Sequence, residues 1–221
     1  MDVGVVVVAG AVGVGLGAPL AAGADRMLAR RDVGPVAHER LLFGLLAGAT
    51  LAVLAARFGF GWALIAYGIV GLGLVVLSWI DLRAEWLPRE VTALTAAVAA
   101  PFLVIAALVD GQPRQLLDAV IGALLATAIL LIVHLVGRGG LGDGDVRLAP
   151  LLGMALGWLN VTLVPVGLLF GFFAGALSGV VLLAAGRATR RTAVPFGPFL
   201  ALGTLAAIVV GDAFLDAVLH R

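Results

Sequence analysis

From Leu41 to Ile80 the chain carries a single charge, Arg57, in forty residues. As one helix that stretch would be about 60 Å long, twice the roughly 30 Å of bilayer hydrocarbon. Backbone in lipid must satisfy its own hydrogen bonds, and a helix does so locally. The stretch is therefore expected to fold back into two spans, with RFGFG at 57–61 as the turn. Residues 148–186 hold no charge at all and repeat the argument, with a turn expected at Asn160, beside Trp158. That makes the sixth span short and the seventh 162–186. Further spans are expected at 3–24, 91–109, 119–137 and 197–217. The expected fold is all-α: a polytopic membrane protein of about eight transmembrane helices, forming one membrane-embedded domain over 1–221. MDVGVVVVAG lacks a basic n-region, so a cleaved signal peptide is not expected.

Composition agrees. Hydrophobic residues make up 62% of the chain and charged residues 12%, with a mean hydropathy of +1.18. There is no cysteine, which excludes disulfides, iron–sulfur clusters and cysteine-bound zinc. The histidines, His38, His134 and His220, are scattered. No metal or cofactor is expected, and His134 in span five reads as a packed or interfacial side chain. Glycine runs such as GAVGVGLGA at 10–18 follow no strand, so they do not cradle a nucleotide, and no nucleic-acid partner is expected. They suit close helix packing.

The arginines set an orientation. With eight spans, segments 25–40, 81–90, 138–147 and 187–191 share one side. They hold eleven of the 14 arginines; Arg57, Arg114 and Arg221 fall on the other. The positive side faces the cytoplasm. Asp212 and Asp216 are expected at the far interface. The cytoplasmic side also holds GLGDGDVRLAPLLG, 140–153, where Asp143 and Asp145 sit among glycines, and Asp81 at the end of span three.

Two carboxylates sharing one proton can perform general acid–base hydrolysis. Gly142 and Gly144 would let the backbone bend and approach a substrate. The plainer alternative is an interfacial loop whose aspartates cap the next helix, with Asp145 just before the apolar run.

GLGDGDVRLAPLLGMALGW resembles the GxGD region of type IV prepilin peptidases, including the basic residue two places after the aspartate, here Arg147. IDLRAEWLPREVT, 80–92, is similar to that family's first aspartate region, with Asp81 and Pro88. AVPFGPFLALG, 193–203, looks like its P-F-G-P segment, Pro195 to Pro198, and LGAPLAAGADRML, 16–28, resembles the end of its first span. The matches run in family order. The resemblance implies an aspartic endopeptidase with Asp81 and Asp145 as catalysts, Gly142 and Gly144 in the active-site loop, and Asp143 as the variable residue. It implies pilin-like precursors as substrates, cut at the cytoplasmic face of the plasma membrane. The family often carries a cysteine-containing cytoplasmic methyltransferase domain between spans one and two. Here that interval is 16 residues without cysteine, so N-methylation is not expected. The chain also reads Pro88-Arg89-Glu90 where Pro-Asp is common. Glu85 and Glu90 are expected as solvated loop charges that could attract a basic leader.

The chief alternative is a small ion- or proton-coupled transporter, in which buried acids and His134 would line a path. An inactive scaffold is a second. The acids cluster at one face rather than at mid-membrane, unlike a transport site.

The topology predicts that single cysteines at positions 32, 86 and 189 are labelled only from the cytoplasm, and one at 113 only from outside. Outside labelling at 86 would reverse the orientation.

Overall fold

The computed structural model describes residues 2–34, 39–137, 141–186 and 195–219. Arg138, Gly140, the basic segment 187–191, positions 193 and 194, the Asp212 side chain and Arg221 lie outside the described residues. Among these residues there are eight helices and no strand. They are α1 (Val3–Ala29), α2 (Glu39–Phe58), α3 (Trp62–Ala84), α4 (Arg89–Val109), α5 (Arg114–Val136), α6 (Asp143–Leu159), α7 (Leu163–Ala184) and α8 (Gly197–Leu219). The first five and α7 are long and apolar enough to cross a membrane. The shortest is α6, with 17 residues, and the apolar part of α8 is Gly197–Gly211.

Both inferred turns are present. Gly59 takes φ 66° between α2 and α3, a conformation that favours glycine. The Asn160 side chain accepts from the Thr162 backbone N–H at 2.9 Å and its hydroxyl at 2.7 Å. Several helices overrun the apolar windows: α1 continues to Ala29, α5 begins at Arg114 rather than 119, and α6 begins at Asp143 rather than 148. A charged side chain marks headgroup depth, but backbone hydrogen bonds continue until a cap ends them.

The chain divides into two compact units, 1–117 and 118–221. In the first, α1 and α2 meet along a glycine seam. A methyl group at Gly17 would lie 2.3 Å from Gly44 Cα, and one at Gly13 would lie 2.7 Å from Gly48 Cα. Only hydrogen fits there. Gly73 of α3 meets Thr95 of α4 as closely.

The second unit repeats the device. A methyl at Gly122 of α5 would lie 2.3 Å from the Gly153 carbonyl oxygen and 2.7 Å from Gly157 Cα on α6. Gly203 of α8 sits against Gly167 and Gly171 of α7. The P-F-G-P segment starts α8: the Phe196 ring lies over Gly175 of α7 and 5.2 Å from the Phe172 ring.

Gly17→Ala should destabilise the protein in detergent by about 1–3 kcal/mol, as expected for overpacking. A methyl added at Gly15 would meet nothing within 4 Å, so Gly15→Ala should be tolerated without loss. Equal thermal midpoints for the two variants would show that the seam does not set the spacing.

Candidate active site

In the first unit Asp81 lies in the last turn of α3 and is 6% exposed. The helix ends because Glu85 turns left-handed, φ 47°, and donates its N–H to the Asp81 carbonyl at 2.9 Å. Pro88 then disfavours a helical Leu87 and precedes α4. The end of α3 is held from two sides. Val76, Trp79 and Ile80 bury against Ala24 and Leu28 of α1 and Phe43 of α2, with the Phe43 and Trp79 rings edge-to-face at 5.2 Å. Arg83 pairs with Glu39, donates to the Gly34 carbonyl at 3.3 Å and covers the Trp79 ring. Arg31 stacks over Trp86 at 4.5 Å. Glu85 and Glu90 are exposed, Glu90 in the first turn of α4 rather than in a loop, where it pairs with exposed Arg89.

In the second unit Gly142 is the N-cap of α6, and Asp143, Gly144 and Asp145 form its first turn. The Gly142 N–H donates to Asp145 Oδ2 at 3.1 Å, and the Asp145 N–H donates to the Gly142 carbonyl at 3.1 Å. Asp145 thus closes half of a capping box from inside the helix, rather than preceding it as the plainer reading had it, and carboxylates suit that end of the dipole. The expected bending loop is instead a cap and a helical turn. Gly142 has φ −71°, open to any residue, but a methyl there would lie 3.3 Å from Asp145 Oδ2. Its smallness, rather than its freedom, serves the carboxylate. Positions two apart on a helix point about 200° apart. Asp145 is accordingly 5% exposed, while the Asp143 side chain is 73% exposed. Asp143 Oδ1 faces His134 Nε2 at 3.3 Å, and His134 Nδ1 lies 2.8 Å from the Leu141 carbonyl oxygen. Arg147 is exposed.

Of the acids whose side chains are described, Asp81 and Asp145 alone are buried. Sequence reasoning missed the Arg83–Glu39 brace and the His134 contacts; a histidine in the last turn before a glycine-rich junction was the available signal for the latter. No group of three histidine, aspartate or glutamate side chains suited to a metal occurs among the described residues.

The fold and these helix ends define a multi-pass, all-helical membrane protein with, among the described side chains, one buried aspartate in each unit. The chain belongs to the type IV leader peptidase family, whose model matches residues 68–184. It is 32% identical over 187 residues to a protein of Stutzerimonas stutzeri named prepilin leader peptidase/N-methyltransferase, covering 81% of this chain and 60% of that one. Proteins of the same name from Pseudomonas aeruginosa (34% over 161 residues, 71% and 53% covered) and Burkholderia pseudomallei (35% over 188 residues, 81% and 57% covered) are similar. The chain thus spans about three fifths of the length of these relatives. No solved structure matches it significantly.

Proposed function

We propose that this protein is a prepilin-type leader peptidase, an aspartic endopeptidase that cuts pilin-like precursors at the cytoplasmic face of the plasma membrane. Asp81 and Asp145 are its catalytic aspartates, within one peptidase domain over 1–221. One ionised carboxylate takes a proton from water, and the resulting nucleophile attacks the scissile carbonyl. The other, protonated, carboxyl supplies the proton that the leaving amine needs, and the two then exchange roles. The reaction needs no metal or organic cofactor.

The observation that carries this reading is the selective burial of those two aspartates, at 6% and 5% exposure. Burying a carboxyl costs free energy that its hydrogen bonds must offset. Among the acids whose side chains are described, the two buried ones are those of the motif resemblance, and Asp143 is exposed. Both lie at helix ends, as a peptidase acting at a membrane face requires, whereas a transporter site would sit near mid-membrane.

Asp81→Asn and Asp145→Asn should each reduce prepilin cleavage by about 10²–10⁴-fold, the share that acid–base groups supply, with membrane insertion intact. Asp143→Asn should keep most activity, because the Asp143 side chain is 73% exposed and points away from Asp145. An inactive Asp143→Asn with an active Asp145→Asn would reverse the assignment.

The mature product should carry no new N-methyl group. A methyl donor needs a walled pocket of about 300–1,000 Å³, and the 25–40 interval is too short to pack one. Mass spectrometry of product made with S-adenosylmethionine present tests this. A gain of one methyl would locate a donor site elsewhere in the chain.

A further inference from the structure

His134 and Asp145 hold opposite ends of one peptide group. His134 is half-buried in the last turn of α5, and its Nδ1 lies 2.8 Å from the Leu141 carbonyl oxygen. A carbonyl only accepts, so Nδ1 carries the proton and donates it. That carbonyl and the Gly142 N–H belong to the same planar unit. The N–H end donates to Asp145 Oδ2 at 3.1 Å. Ring, peptide and carboxylate therefore form one hydrogen-bonded line, in which each bond polarises the next. The Leu141 side chain, 4% exposed, anchors the same peptide on its other side. Nε2, on the far edge of the ring, lies 3.3 Å from Asp143 Oδ1.

We propose that His134 is a positioning residue for Asp145, acting through the Leu141–Gly142 peptide. The proposal rests on the reading of Asp145 as a catalytic carboxylate. Without the Nδ1 donor the peptide plane can rotate, and its N–H carries the bond that orients Oδ2. A shift of about 1 Å in a reacting group lowers a rate about 10²-fold. His134 acts behind the carboxylate, so the loss belongs to kcat and not to KM.

The test uses the full chain in detergent with a prepilin substrate. His134→Phe keeps a ring and removes both nitrogens, His134→Asn can place an amide N–H near the Nδ1 position, and His134→Gln reaches the Nε2 position instead. His134→Phe should lower kcat about 10–100-fold with KM within about twofold, Asn should restore most of the loss, and Gln should not. A wild-type kcat for the Phe variant, an Asn variant no better than Gln, or a loss confined to KM would overturn the proposal. Hydrogen exchange at the Gly142 amide reads the same link without substrate. It should be faster in the Phe and Gln variants than in wild type and Asn, and equal rates in all four would also overturn the proposal. If wild type cleaves no prepilin, the peptidase reading fails, and the exchange comparison still decides the link.

Discussion

Helices in lipid gain no hydrophobic energy from touching one another, because an acyl chain is as apolar as a leucine. They associate through close contact of their backbones and through the few polar bonds between them. In this protein the contact is glycine on glycine. Gly122 against Gly153 and Gly157 brings the α5 and α6 backbones to the smallest separation that their atoms allow. From Gly122 to His134 is 12 residues, about 18 Å along α5, and from Gly153 back to Asp143 is 10 residues, about 15 Å along α6. The antiparallel pair is thus gripped at two heights, by a glycine seam in the apolar zone and by hydrogen bonds where the helices leave it. The imidazole reaches the Leu141 carbonyl because the seam has already set the distance it must span.

Much of this fold is legible in the sequence because the bilayer imposes a length. Forty residues with one charge cannot be a single crossing, and glycines at 59 and 61 or an asparagine at 160 suffice to mark where each stretch turns. Helix ends are less legible. Hydropathy records where water begins, whereas Glu85 ends α3 by a left-handed turn and Gly142 starts α6 by a cap, both of which are backbone events. The motif resemblance assigned Asp145 over Asp143, but periodicity alone could not do so while the segment was read as a loop. Once it is the first turn of a helix, the 200° between the two side chains sends one inward and one out. The His134 and Arg83 contacts were hidden for a different reason: each joins residues across a chain reversal, Arg83 to Glu39 over 44 positions and His134 to Leu141 over seven.

The two buried aspartates are supported by different means. Asp145 is held by its own helix cap and by the peptide that His134 fixes, so its surroundings are local in sequence. Asp81 depends on an assembly: Trp79 and Ile80 on its own helix, Leu28 from α1 and Phe43 from α2 close around the end of α3. Loss of packing there would move the helix end that carries the carboxylate, while loss at α6 would free the Leu141–Gly142 peptide and let the carboxylate turn.

The short connection between α1 and α2 belongs to that assembly. Arg83 reaches from α3 to the Gly34 carbonyl and to Glu39, and Arg31 lies over Trp86 beyond the end of α3. Arg83 and Glu39 are a half-buried pair, with side chains 14% and 32% exposed. These contacts tie both sides of the connection to the helix end that bears Asp81. Arg31, Gly34 and Glu39, on the two sides of that connection, brace the end of α3. The length of the connection suits that role. It is long enough to return the chain from α1 to α2, and short enough that Arg31 on one side and Glu39 on the other both stay within reach of the end of α3.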